Sequence, residues 1–297
     1  MIIITGAKGQ LGTDVVRELK KRNVKHIGID LAELDITDDD AVQSFFAAQQ
    51  SGVTCVIHCA AYTAVDKAED EQELCYAVNE KGTENLAKAC RRINAEMIYI
   101  STDYVFDGGD EGNGNSGGTQ PYETNGRKKS LSTYGKSKLA GEEAVKKHLE
   151  KYYIVRISWV FGHTGANFVK TVLRLAESRD ELNVVGDQIG SPTYTPDLAK
   201  LLCDMALSGK YGEYHATNEG FCSWAELAAE IMRLREVSSG RHVQINPITT
   251  EEYPLKATRP KNSRLSKKSL DEAGFTRLPT WQDALKRFMA EERKTKA

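Results

Sequence analysis

The stretch MIIITGAKGQLG, residues 1–12, constrains this chain more than any other. A short apolar run that ends in glycine reads as a buried strand, and the amphipathic pattern from Leu11 to Arg22 reads as the helix that follows it. Glycines at such a junction let the backbone turn tightly and let a pyrophosphate come close. The start of the helix then offers its free N–H groups and its positive dipole end. Here the glycines are Gly6, Gly9 and Gly12, a GxxGxxG spacing that widens the turn by one residue relative to GxGxxG. Asp30 closes the second apolar run, where a carboxylate can accept hydrogen bonds from an adenosine ribose. That carboxylate favours NADH, because it repels a 2′-phosphate. Lys8 in the loop keeps NADPH open.

The first half of the chain alternates apolar runs with helical patterns. Strands are expected at Met1–Ile4, Lys25–Asp30, Thr54–Ala61, Glu96–Thr102 and Tyr152–Ser158. Helices are expected near Leu11–Arg22, Asp39–Gln49, Gln72–Ile93 and Tyr134–Lys151. Continuous apolar strands alternating with helices predict an α/β fold: a doubly wound, Rossmann-type parallel sheet covered on both faces. After Gly162 helices dominate, near Asn167–Ser178, Pro196–Ser208, Ser223–Arg235 and Thr280–Lys294. Short strand candidates lie at Asn183–Gly186, Glu213–Thr217 and Val243–Ile248. We therefore expect a dinucleotide-binding domain over residues 1–162. Residues 163–297 should form mostly a smaller mixed α/β substrate-binding lobe, with some segments returning to the first domain. At the carboxyl edge of the sheet, Asp35 and Ile36 can border an adenine. Ala61, Tyr62 and Thr63 can border the ribose and nicotinamide.

With 40 basic and 42 acidic side chains, the formal net charge of −2 gives no global electrostatic case for nucleic acid or anionic membrane as a partner. No apolar run approaches the roughly 20 residues of a membrane span, and nothing at Met1 resembles a secretory signal. The expected location is the cytoplasm. Cys55, Cys59, Cys75, Cys90, Cys203 and Cys222 are scattered without paired ligand spacing, so buried free thiols are expected and no metal site.

Tyr134 and Lys138 stand one helical turn apart, on one face of a helix. A free phenol titrates near ~10; a neighbouring ammonium favours the phenolate and is expected to draw that value down. Such a tyrosine can pass its proton to a carbonyl oxygen as hydride arrives. The plain alternative is solvated helix decoration. Ser101 and Thr102 end the strand Glu96–Thr102, where a hydroxyl can hold the substrate oxygen against Tyr134. The segment Asp107–Ser132, rich in glycine and charge, has no hydrophobic face. It is expected to be a long loop directly before Tyr134, either a surface insertion or a flap beside the site.

The strings TGAKGQLG, ELDITD, AAYTAVDKAE, STDYVFDG, YGKSKLAGE, RISWVFG, NFVKTVLRLA, DQIGSPTYTPDLA, YHATN and RPKNSRL run in order along nearly the whole chain. Together they resemble the extended short-chain dehydrogenase/reductase family. The resemblance implies reduction of the C4 keto group of a dTDP-sugar by NADPH or NADH, with Thr102, Tyr134 and Lys138 as catalytic residues. It implies cofactor contacts at Gly9, Gln10, Leu11, Asp30, Asp35, Ile36 and Ala61–Thr63. It implies substrate contacts at Thr102, Asp103, Trp159, Asn167, Gln188 and Arg259, the last suited to a diphosphate by its planar fork. Some members form a magnesium-linked dimer, but no acidic cluster here compels Mg2+, and the chain is expected as a monomer or homodimer. The interval between STDYVFDG and Tyr134 departs from the family pattern, which usually is shorter and carries Asn-Pro. Competing implications are a nucleotide-sugar epimerase or dehydratase, and a non-catalytic cofactor-binding regulatory subunit. Asp103 is not followed by the Glu that a dehydratase usually needs.

Overall fold

A computed structural model describes residues 1–49, 52–109 and 119–296. The five expected apolar runs form β1 (Ile2–Thr5), β2 (His26–Ile29), β3 (Cys55–His58), β4 (Glu96–Thr102) and β5 (Tyr152–Ile157). A sixth strand, Gly212–His215, pairs in parallel with β5. The order across the sheet is Gly212–His215, β5, β4, β3, β1, β2, and every pairing is parallel. Strand order reverses between β1 and β3, which opens a crevice beyond their carboxyl ends.

Period-two alternation sends successive side chains to opposite faces. Ile2, Ile4, Ile57, Ile98 and Val155 pack on one side with α1 (Gln10–Lys21), which contributes Leu11, Val15 and Leu19 at i, i+4 spacing. Ile3, Val56, Met97 and Ile154 pack on the other with α2 (Asp39–Ala48) and the helices that follow β3. Each such side chain contributes about 1.5–3 kcal/mol by leaving water.

The single helix expected over Gln72–Ile93 is interrupted. It forms α3 (Gln72–Tyr76), a π-helical segment Ala77–Gly82, and α4 (Thr83–Arg92). The extra residue per turn carries Asn79, 1% exposed, onto the inner face. Periodicity in the sequence does not register such an insertion. α5 (Thr133–His148) starts at Ser132, whose hydroxyl accepts the Gly135 N–H.

The later part of the chain divides its work. Helix Thr195–Met205 packs on α1 through Leu198, Leu201 and Leu202, and Gly212–His215 joins the main sheet. The remaining layer has helices Phe168–Leu175, Trp224–Ser239 and Trp281–Lys296 and the parallel pair Glu181–Val185 with Gln244–Ile248. Its core holds Phe161, Val169, Leu227, Ile231, Leu285 and Phe288. Within the expected loop 107–132, residues 110–118 lie outside the described residues. The rest is anchored by Tyr122, whose ring stacks on Phe106 at 4.3 Å and whose hydroxyl donates to Asp107 Oδ1 and the Gly109 carbonyl.

Candidate active site

The crevice at the strand reversal is shaped by missing side chains. Gly6 takes φ +64°, and a Cβ there would stand 2.7 Å from the Ala60 nitrogen; a Cβ on Gly12 would overlap the Gly6 carbonyl. Gly9 caps α1 without a side chain, leaving the helix start open. The resulting cleft, about 470 Å³, is walled by Gly6, Gly9, Asp30, Asp35, Ile36 and Ala61. Asp30 is firmly held: Oδ1 accepts the Leu31 N–H at 2.9 Å and Oδ2 the Lys8 N–H at 3.0 Å. Glu33 accepts the Asp30 N–H at 2.9 Å and the Lys8 ammonium at 2.7 Å. These features fit the adenosine half of a dinucleotide, with the pyrophosphate at the start of α1.

A second cleft, about 500 Å³, continues past Gln10, Leu11, Ala61 and Thr63 to Thr102, Asp103, Tyr134, Lys138 and Trp159. Tyr62 is expected on this border, but its phenol turns to Glu71 at 2.5 Å. Its backbone is gripped by Asn79, which accepts the Tyr62 N–H at 2.9 Å and donates to its carbonyl at 3.1 Å. Asn79 also donates to Ser137 on α5 at 3.0 Å. Sequence inspection missed Asn79, because only the π segment aims it inward.

β4 delivers Thr102 and α5 delivers Tyr134 and Lys138. Thr102 Oγ1 donates to Asp103 Oδ1 at 3.0 Å and accepts the Tyr104 N–H at 3.3 Å, in the cleft that Tyr134 also lines. Lys138 is 2% exposed, and its ammonium sits 4.0 Å over the Tyr99 ring. The expectation that Lys138 draws the Tyr134 phenol down needs correction. Burial dominates and pushes the phenol up, opposed by the nearby Thr102 hydroxyl and reinforced by Asp103. Burial also lowers the Lys138 ammonium to about 7, with Glu142 pulling the other way. Asp103, 3% exposed, is pushed up to about 6 by burial. A phenol that stays protonated is the form a proton donor needs.

Ser101 faces inward instead of toward a substrate: its hydroxyl donates to Glu142 Oε1 at 2.6 Å. Glu142 and Arg156, both fully buried, pair through Arg156 Nε at 2.7 Å and Nη2 at 2.6 Å. Arg156 also reaches Glu213 Oε2 at 2.5 Å.

At the far end of the second cleft, Trp159 has φ +49°, a left-handed conformation costing of order 1–3 kcal/mol for a bulky residue. Its indole stacks on Trp224 at 3.7 Å. Beyond that stack an outer cavity of about 620 Å³ is lined by Phe168, Trp224, Gln188, Tyr253, Leu255 and Arg259. Gln188 is 4% exposed and accepts the Trp224 indole N–H at 3.2 Å. Arg259 grips Asp66 with two bonds, 3.0 and 2.7 Å. Asn167 is placed elsewhere: it caps helix Phe168–Leu175 and donates to Gln10 Oε1 at 2.8 Å, bridging the later layer to the start of α1. Among the described residues, no group of three or more His, Cys, Asp or Glu is placed to hold a metal ion, and no helix is long and apolar enough to cross a membrane.

Residues 1–294 match the family described as RmlD substrate binding domain. The chain belongs to this family. Among its RmlD-family relatives, the spore coat polysaccharide biosynthesis protein SpsK of Bacillus subtilis is 41% identical over 98% of this chain and 97% of its own length. The dTDP-4-dehydrorhamnose reductase of Aggregatibacter actinomycetemcomitans is 40% identical over 97% and 98%. The solved dTDP-4-dehydrorhamnose reductase of Bacillus anthracis, in complex with NADP, superposes with a TM-score of 0.89 at 41% identity, covering 98% of both chains. The RmlD-family fold is the doubly wound α/β fold expected from the sequence.

Proposed function

We propose that the chain reduces the C4 keto group of dTDP-4-dehydro-L-rhamnose, giving dTDP-L-rhamnose for cell-surface polysaccharide synthesis. The observation that carries this reading is the meeting of Thr102, Tyr134 and Lys138 in one cleft that opens on the glycine cradle. Full-length similarity to dTDP-4-dehydrorhamnose reductases supports the substrate class.

NADPH or NADH, held by the Gly6–Gly12 loop, Gln10, Leu11, Asp30, Asp35, Ile36 and the Ala61–Thr63 backbone, supplies the hydride when bound. Thr102 and Tyr134 hydrogen-bond the substrate's keto oxygen. Tyr134, kept protonated by burial, releases its proton to that oxygen as negative charge builds on it. Lys138 stabilises the phenolate left behind by its positive charge. Asp103 and Trp159 border the sugar, while Gln188 and Arg259 face the nucleotide; Asn167 supports them by tying the lobe to Gln10. Residues up to 162 thus serve mainly the cofactor, and the later lobe, less its return segments, serves the dTDP-sugar. In this reading the protein acts in the cytoplasm as a monomer or homodimer, and no step needs a metal.

The test is purified protein with dTDP-4-dehydro-L-rhamnose and NADPH or NADH, followed at the nicotinamide absorbance. Oxidation that depends on the sugar nucleotide is expected; none above background overturns the proposal.

A further inference from the structure

The inner cleft and the outer cavity are separated by two indoles. Trp159 faces the inner cleft and Trp224 the outer cavity. Their rings lie 3.7 Å apart and 14° from parallel, leaving no room for a base or sugar between them. Trp159 stands on a strained, left-handed backbone, so its direction must be fixed by what surrounds it. Part of that fixing is Gly190, where a Cβ would stand 2.8 Å from the Trp159 ring.

Trp224 is the better anchored of the two. It begins helix Trp224–Ser239, whose first turn is locked by reciprocal bonds between Ser223 and Glu226 at 3.0 and 2.6 Å. Its indole N–H donates to Gln188 Oε1 at 3.2 Å, and Gln188 Nε2 donates to Thr250 Oγ1 at 3.1 Å. Phe168 packs beside it at 4.6 Å. A rigid aromatic plate therefore backs a strained one.

We propose that Trp224 is a positioning residue for the reductase reaction: it backs Trp159 so that the front face of Trp159 presses the sugar ring of the bound nucleotide sugar toward Tyr134. The inference rests on the reductase reading above. Trp224 itself lines neither of the two clefts assigned to the cofactor.

Two substitutions of similar bulk separate a flat face from mere filling. Both are smaller than tryptophan and lose the bond to Gln188; Trp224→Phe keeps an aromatic plate and Trp224→Leu does not. Near-ultraviolet circular dichroism should lose the coupled-indole signal in both, which locates the stack in solution. Trp224→Leu should lower kcat/KM for the nucleotide sugar by about three- to tenfold, the worth of one aromatic contact. NADPH affinity, read by nicotinamide fluorescence, should stay within about twofold. Trp224→Phe should recover most of the loss. Equal impairment of the two variants, unchanged kcat/KM in Trp224→Leu, or an equal loss of NADPH affinity overturns the inference while leaving the reductase reading intact. Absence of turnover by the unaltered chain overturns the reductase reading, and this inference with it.

Discussion

Tyr134 and Lys138 carry opposite consequences of the same burial. Burial keeps the phenol protonated and brings the ammonium down to about 7. Tyr134→Phe removes the proton and keeps the ring; it should lower turnover by about 10²–10⁴-fold with cofactor binding retained, measured by steady-state kinetics beside nicotinamide fluorescence. Lys138 holds its charge below about 7 and loses it as pH rises through that value. Reduction should therefore fall on the alkaline side of about 7, and that limb should be missing from the residual activity of Lys138→Met. Stability should move the other way. Between about 7 and 10.5 the unfolded chain binds more protons at this lysine than the folded one. Its contribution to stability therefore rises with pH in that window. Denaturation midpoints of the two proteins across that range check the sign. The YxxxK spacing was legible in the sequence because a helix makes i and i+4 neighbours. The direction of the tuning was not, because it depends on depth of burial, which spacing does not encode.

At the scale of elements, the site depends on how β4, α5 and β5 are locked together. Glu142 lies on α5, Arg156 on β5 and Ser101 at the end of β4, and all three meet out of water. Removing one member of a buried pair strands the other charge, at a cost of about 3–5 kcal/mol. Arg156→Met should show a loss of that size in urea denaturation, and adding Glu142→Leu should restore a large part of it, because Glu213 keeps its pair with Lys146 at 2.7 Å and no charge is left orphaned. If the double variant were less stable than Arg156→Met alone, the stranded-charge account would fail. This lock was invisible in the sequence: Glu142 and Arg156 belong to different elements, and only the β4–β5 register and the docking of α5 bring them together. The glycine loop was legible for the converse reason. Gly6, Gly9 and Gly12 act within one strand–turn–helix unit, so their spacing states their use. Asn79 falls between these cases, since its position was plain but its direction depended on a π segment that periodicity does not show.

At the scale of the whole molecule, the segment after β3 and the later part of the chain are tied by a strap. Arg259 holds Asp66 with two bonds, Ala257 N–H donates to the same carboxylate at 3.1 Å, and Lys256 pairs with Asp70. Asp66 and Asp70 follow the Ala61–Thr63 segment that borders the cofactor cleft, while Arg259 lines the outer cavity. The arginine is thus placed to answer to both lobes. In the strap it is a partly exposed ion pair, with side chains 19% and 39% exposed, and such pairs contribute only about 0–1 kcal/mol to stability. If its main work is to grip a diphosphate, the two roles separate cleanly by measurement. Arg259→Ala should leave the thermal midpoint nearly unchanged, weaken calorimetric binding of dTDP by about tenfold or more, and raise KM for the nucleotide sugar more than it lowers kcat. Arg259→Lys should fail to restore dTDP binding, because a point charge cannot reproduce the planar two-bond grip. A variant that lost stability in step with dTDP affinity would assign Arg259 to the strap alone, and the outer cavity would then need another cation for the diphosphate.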